Sequence, residues 1–420
     1  MKILIDNGGY EFKNNGDSAM LVVTSNHFYQ QYPNAEIQIM TVAPKSLKKF
    51  IPYATPIAID GRKQWRNAWN LVGGLRKLFP QSRQQWLQNK ESLLKIKYPT
   101  ICYKWMRYRL EKRGVNVAPM RKFLETVNQA DIVVASGGGY ITDSFSSHAI
   151  SLLQTLALAQ EQGKPTAMFG QGLGPIHSKN LLFWSNKVLP KLNSISLRES
   201  LYSKLCALTA NVPENKVTVT GDDAIIMAYG NTPTVIGDKI GVNLRVASYS
   251  GLGEQELESI KVVLDDISSL VKAEFCAVPI SFHEGDSDFN SIQKLLGSEV
   301  FNVNELNTPE KVIKQAGKCR IIITGSYHAG VFGLSQGVSI IAVAASDYYR
   351  HKFKGLAKQF GVGCTVVDRD ASDFDAKLKS AVIAAWEGAD VVRPQLLKQA
   401  EEQIKLSESV YKQFVQQCNQ

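Results

Sequence analysis

The residues most able to do chemistry stand where apolar runs end. Cys319-Arg320-Ile321-Ile322-Ile323-Thr324 leads into Gly325-Ser326-Tyr327-His328 and, beyond Gly330, to a second apolar run from Val338 to Ala345. The β-branched run predicts a buried parallel strand, Gly325-Ser326 a turn and helix N-cap, and His328 falls in the first helical turn. That turn lies at the carboxyl edge of a parallel sheet, where open α/β folds bind ligands and helix N-termini attract anions. The pattern recurs. Asp131 to Ala135 runs into Gly137-Gly138-Gly139, whose N–H groups can converge as an anion nest because no side chain blocks the approach. Pro165 to Phe169 leads into Gly170-Gln171-Gly172, Ser194 to Leu197 into Arg198-Glu199-Ser200, and Val217 to Thr220 into Gly221-Asp222-Asp223. The ends of successive parallel strands share one rim, so these residues are expected to face one site.

Other elements must position that rim. Lys2 to Asp6 reads as the first strand, Asn14 to Leu21 as a helix start capped by Asp17 or Ser18, and Glu36 to Val42 as the second strand. Asn231 to Asp238 is polar with Gly and Pro and reads as a linker. After it, Ile240 to Leu244 opens a second α/β unit with Arg245 at its strand's end, followed by a helix from Gln255 to Val271 and a strand from Phe275 to Ile280. Tyr348 to Gly355 reads as a basic aromatic loop, and Gln395 to Cys418 as an amphipathic helix packing back on the first domain. No Lys-Ser/Thr follows a glycine loop and there is no G-x-G-x-x-G, which argues against a P-loop NTPase and a dinucleotide fingerprint. His283, with Glu284, Asp286 and Asp288 nearby, lacks metal-ligand spacing, and no metal is expected.

The 420 residues, 44% of them hydrophobic, can bury more than one core. No apolar run approaches the ~20 residues that span a bilayer, and no signal-peptide pattern opens the chain, so a cytoplasmic protein is expected. The six cysteines form no C-x-x-C pair. The net charge of +10 is concentrated between residues 45 and 122, where about nineteen Lys and Arg face only Asp60, Glu91 and Glu111. Trp65, Trp69, Phe79, Trp86, Tyr98, Tyr103, Trp105 and Tyr108 are interleaved with them, a mixture suited to packing with a solvated basic face or to contact with the inner face of an anionic membrane. Nothing in the segment matches a nucleic-acid-reading module, and a nucleic-acid partner is not expected.

Taken in order, Asn15-Gly16-Asp17-x-Ala19, Gly137-Gly138-Gly139, Gly170-Gln171-Gly172-x-Gly174-Pro175, Ser196-x-Arg198-Glu199-Ser200, Asp222-Asp223-Ala224, Val242-Asn243-Leu244-Arg245 and the His328 unit resemble the polysaccharide pyruvyl transferase family. The resemblance covers nearly the whole chain outside the basic segment. It implies an α/β fold of two Rossmann-like domains facing across a cleft, as in GT-B glycosyltransferases. The expected division is 1–232 on the acceptor side, with 45–122 as the basic aromatic segment, then 239–392 on the donor side and 393–420 as the returning helix. It also implies transfer of a pyruvyl group from phosphoenolpyruvate to a sugar of a glycan or lipid-linked precursor as a cyclic ketal, with no cofactor.

That chemistry asks for cations to hold a phosphate and a carboxylate, and for an acid/base group titrating near neutrality. His328 is the expected acid/base. Arg198, Arg245, Ser326, Tyr327, Arg350 and Lys352 are expected around the donor, and Asn15, Asp17, Gly137, Gly138, Gly139, Gln171 and Asp222 on the acceptor or anion side. One position departs from the family. Where it commonly has Arg-Leu-His, this chain has Ser326-Tyr327-His328, so the charge is expected from Arg350, Lys352 or Lys354 in the adjacent segment. The alternative is another anionic donor, such as a nucleotide-sugar in a glycosyltransferase-like reaction.

Overall fold

The computed structural model describes residues 1–67, 79–244, 254–284, 287–297 and 305–420. Within them the apolar runs form two parallel sheets. The first contains β1 (Lys2–Asp6), β2 (Glu36–Thr41), β3 (Thr55–Ala58), β4 (Ile132–Ala135), β5 (Gly138–Ile141), β6 (Thr166–Leu173), β7 (Ser194–Leu197) and β8 (Val217–Val219). Their order is β3-β2-β1-β4-β6-β7-β8, with β5 pairing β6 beyond the end of β4. The second sheet contains β9 (Lys239–Asn243), β10 (Phe275–Ala277), β11 (Cys319–Thr324), β12 (Ser339–Ala344) and β13 (Cys364–Asp368), in the order β10-β9-β11-β12-β13. β12 is buried along its whole length, which is why it reads as an unbroken apolar run rather than an alternation. Strand order reverses between β1 and β4 in one sheet and between β9 and β11 in the other. The carboxyl ends flanking such a reversal diverge and leave a crevice.

The two crevices are held together. The Asn15 backbone N–H donates to the Ile280 carbonyl (2.8 Å) and that of Phe282 to Lys13 (2.7 Å), while Asn14 and Ser281 form an antiparallel bridge. Ala19, Met20, Ala224, Ile225 and Ala228 from the first half share a core with Ile322, Phe332 and Ile340 of the second. A single helix, Phe374–Cys418, spans both halves. Phe374, Leu378 and Val382 pack with the second sheet, Leu396 and Ala400 with the shared core, and beside the first sheet Tyr411 stacks on Phe169 while Phe414 meets Phe28 and Phe169 edge to face.

Local structure departs from the sequence reading in several places. The helix after β1, Asn15–Gln31, is capped by Asn14, which accepts from the Gly16 (2.9 Å) and Asp17 (3.1 Å) amides, and not by Asp17 or Ser18. Gly138 and Gly139 lie in β5, so the glycine run is a strand against β6 and not a free anion nest. Tyr348 to Gly355 is part of a helix, Asp347–Phe360, rather than a loop. The last helix begins at Phe374, well before Gln395, with Pro394 inside it; a proline removes one N–H, and packing on both sheets carries the helix through. The basic segment is only partly a surface. Arg62 is buried on Asp6 and Tyr10, and Lys95 pairs with buried Glu91 at 2.9 Å. Trp65 is buried, whereas Trp69 lies outside the described residues.

Candidate functional site

Three side chains from three strand ends form a buried charged line. Arg198 directly follows β7, and its backbone N–H donates to the Gln171 carbonyl (3.0 Å), extending the ladder and fixing its direction. The guanidinium Nε lies 2.8 Å from Asp222 Oδ2 and 3.0 Å from the Gly170 carbonyl, and its charge faces the Tyr327 ring at 5.0 Å. Asp222 follows β8 and accepts the Ala224 amide on Oδ1 (2.9 Å). Its Oδ2 stands 3.6 Å from His328 Nε2, a charge contact longer than a hydrogen bond. Burial would raise the Asp222 carboxyl, but the Arg198 charge, with His328 and the Ala224 amide, holds it below the usual carboxylate range. Asp222 is therefore an anion at neutral pH. His328 Nε2 has no hydrogen-bond partner and borders a cleft of about 420 Å³.

His328 lies in the first turn of the Tyr327–Ser335 helix, as its position after Gly325-Ser326 predicts. Ser326 occupies the N-cap, but its hydroxyl makes no capping bond to the first-turn amides. The imidazole packs onto Gly16, where a Cβ would lie 2.0 Å from His328 Cγ. Opposite, Gly139 leaves room for two cations: a Cβ there would lie 2.8 Å from Lys352 Nζ and 3.3 Å from an Arg198 terminal nitrogen. Lys352 reaches the cleft from the Asp347–Phe360 helix, bonded to the Tyr348 hydroxyl one turn earlier and lying 4.0 Å from that ring's centroid. Arg198, Tyr327, Tyr348 and Lys352 also border a second, largely apolar recess of about 280 Å³ lined by Leu173, Pro175, Ile176, Leu182 and Leu205.

The structure thus brings together Asp17, Gly139, Arg198, Ser326, Tyr327, His328 and Lys352 around the cleft, with Asp222 behind them. Others are elsewhere. Asn15 is buried and turned to the Pro279 and Leu306 carbonyls (3.4 and 3.3 Å). Gln171 is buried on the Ser136 carbonyl (2.6 Å) and the Tyr140 hydroxyl (2.8 Å). Gly137 and Gly138 are buried beneath the rim. Arg350, expected among the donor ligands, is instead held by Asp347, Asp368 and Asp370 at 3.0, 2.8 and 2.6 Å. Helical phase explains this, since residues two apart point to different faces and only Lys352 shares the Tyr348 face. Arg245 lies outside the described residues.

Sequence reasoning missed His148, Tyr140 and Tyr348, all of which border the cleft. His148 Nε2 donates to the Asn7 carbonyl (3.1 Å), leaving the lone pair on Nδ1, and burial keeps the ring neutral by lowering its pKa. The available signal was position: His148 opens the helix that follows the glycine strand and so starts on the same rim. His283 borders the cleft edge 3.9 Å from Glu11, while Asp288 accepts from Asn243 (2.8 Å) and the Ile280 and Ser281 amides. Asp288 therefore holds a turn together. Among the described residues no cluster of three or more His, Cys, Asp or Glu side chains could hold a metal ion.

Whole-chain similarity to solved structures accompanies this geometry. A UDP-GlcNAc 2-epimerase from Neisseria meningitidis bound to UDP-GlcNAc matches with a TM-score of 0.54 at 11% identity, covering 99% of this chain and 100% of that one. A putative UDP-N-acetylglucosamine 2-epimerase from Listeria monocytogenes also gives 0.54, at 10% identity over 96% and 91%. A ugt transferase from Siraitia grosvenorii gives 0.52 at 10% identity over all of both chains. These likenesses show the two-domain GT-B fold. The amylovoran biosynthesis protein AmsJ of Erwinia amylovora is 23% identical over 297 residues, 64% of this chain and 68% of that protein. The profile of the family described as polysaccharide pyruvyl transferase matches residues 14–347, which takes in every member of the cleft except Gly8, Tyr348, Tyr349 and Lys352. This chain, a transferase that modifies polysaccharide, belongs to the polysaccharide pyruvyl transferase family.

Proposed function

We propose that the chain moves a pyruvyl group from phosphoenolpyruvate to a sugar of a glycan or of a lipid-linked precursor met at the inner face of a membrane, and closes it as a ketal across two hydroxyls. The observation that carries this reading is the convergence of Arg198, Lys352 and the first residues of the His328 helix on one cleft, with anionic Asp222 behind the imidazole. A donor bearing both a phosphate and a carboxylate suits a site of two cations and a helix N-terminus. Lys352 takes the place of the arginine that family members commonly carry where this chain has Ser326.

The chemistry then has a definite order. A proton delivered to the enol methylene makes the adjoining carbon electrophilic, a sugar hydroxyl adds to that carbon, and inorganic phosphate leaves with its bridging oxygen. The second hydroxyl adds next, and two C–O bonds to sugar replace the enol double bond and the phosphate ester. His328, backed by Asp222, can supply the proton and recover one from a hydroxyl. Neutral His148, which also borders the cleft and keeps its lone pair on Nδ1, suits the other hydroxyl.

Thermal unfolding beside phosphoenolpyruvate and a panel of nucleotide-sugars tests this reading, because a ligand that binds only the native state raises the midpoint. A rise is expected with phosphoenolpyruvate, reduced in Lys352→Ala and kept in His328→Gln. In a phosphate-release assay His328→Gln should lose about 10²–10⁴-fold in turnover. A rise with a nucleotide-sugar alone would replace the donor and leave a glycosyltransferase-like reaction.

A further inference from the structure

Exposed rings and aliphatic side chains line up along two consecutive helices, Gln81–Lys97 and Pro99–Glu111. On the second helix Cys102, Met106 and Leu110 are buried, and the opposite face presents Ile101, Trp105 and Tyr108 at i, i+4 and i+7. Ile101 is 68% exposed and Tyr108 57%. On the first, Trp86 (58% exposed) and Leu94 lie on one outward face, and Tyr98 stands at the junction. Cations accompany the rings: Lys90 over Trp86, Lys97 over Tyr98, Arg109 over Trp105 and Lys112 over Tyr108, at 4.4 to 5.5 Å. Lys104 and Arg107 are exposed beside them. Of the two acids on these helices, Glu91 is buried against Lys95 and Glu111 sits 3.8 Å from Arg107.

We propose that this face docks on an anionic lipid surface, with the rings, Leu94 and Ile101 at headgroup depth and the lysines and arginines on lipid phosphates. Trp and Tyr favour that depth because one end of each ring is apolar and the other polar, and the cations gain from a negative surface. A soluble polyanion would use the charges and ring faces but give Ile101 and Leu94 nothing to be buried in. A second copy of the chain would set like charge against like charge. Among the described residues no helix is long and apolar enough to cross a membrane, so the contact is made by lying on the surface. None of these residues borders the cleft, so docking does not depend on the transfer reaction.

Co-sedimentation of the full chain with vesicles of phosphatidylcholine, alone or with phosphatidylglycerol added, tests the assignment. Binding is expected only to the anionic vesicles and should weaken as salt rises. Ile101→Ser with Trp105→Ser should lower that affinity at least ten-fold, roughly what losing two apolar anchors predicts. Lys104→Glu with Lys112→Glu should lower it by about five-fold or more per charge. Unfolding midpoints confirm that both pairs fold, and in the unaltered chain a vesicle-induced fluorescence change that shrinks in Trp105→Phe and disappears when Trp86→Phe is added locates the contact independently. Indifference to anionic vesicles, or full binding by the Ile101 and Trp105 pair, overturns the proposal. Capture of dextran sulfate without vesicle binding would assign the face to a soluble polyanion.

Discussion

At the scale of single residues, the position of the His328 ring depends on an atom that is missing. A Cβ at Gly16 would overlap the imidazole, and the backbone there is fixed by Asn14 capping and by the Asn15–Ile280 bond, so in Gly16→Ala the ring must move. Overpacking of this kind costs about 1–3 kcal/mol, while a displacement near 1 Å of an acid/base group costs about 10²-fold in rate. Phosphate release from phosphoenolpyruvate in the presence of acceptor should therefore fall far more than the unfolding midpoint. Equal retention of rate and midpoint would remove His328 from the chemistry. The Arg198–Asp222 pair behaves differently because both groups are buried. Asp222→Asn leaves a cation without its partner and should cost about 3–5 kcal/mol, whereas replacing both by leucine should recover most of that stability and none of the transfer. His328 was legible in the sequence because a β-branched run, a Gly-Ser turn and a helix start signal its place. Its partner was not. Strand ends announce membership of a rim, but Asp222 and His328 lie 106 positions apart, and only the docking of one sheet's rim on the other sets them 3.6 Å apart.

Among elements, the closing helix does most to join parts that are distant in sequence, and it carries a titratable contact. Asp223 Oδ1 accepts from Ser407 (3.0 Å) and Oδ2 from the Tyr411 hydroxyl (2.7 Å). Burial nevertheless pushes its carboxyl up to about 6, with neighbouring Asp222 adding to the rise and Tyr411 and Ser407 opposing it. A raised carboxyl binds its proton more tightly in the native state than in the unfolded one. Its contribution is full below the ordinary aspartate value of 3.8 and is lost as pH rises through about 6, a difference of about 3 kcal/mol. Asp223→Asn should therefore unfold at higher urea than the unaltered chain at pH above 6, with the gap closing toward pH 4. Lower stability at high pH would mean that the two hydroxyl bonds outweigh the buried charge. The sequence showed an amphipathic helix here but not its length, since Pro394 reads locally as a stop and only the surfaces on both sides keep the helix going. The triple glycine misled for a related reason. Its composition suits a nest, yet the edge of β6 offers ladder partners that a free loop would lack, and the chain takes them.

For the molecule as a whole, the arrangement decides how the two halves unfold. Two α/β domains joined by a linker are expected to move and melt separately unless the surface between them is large and apolar. Here the shared core around Met20, Ala224 and Phe332, the backbone bonds from Lys13 and Asn15, and a helix of 45 residues tie both sheets to one another. At about 1.5 Å per residue that helix is about 67 Å long, enough to lie against both halves. Calorimetry should then show one transition. Phe414→Ala, which opens a cavity beside the first sheet, and Leu378→Ala, which opens one beside the second, should each cost about 2–5 kcal/mol and should shift the same single peak. Two peaks, each moved by only one of the variants, would mean that the helix packs on both halves without coupling them. Coupling bears on the reaction as well. The cleft takes Arg198 from one half and Lys352 and His328 from the other, so a phosphate-bearing ligand bridging these cations should raise that one peak as a unit, whereas a shoulder left behind at the unliganded midpoint would mean that one half melts without the other.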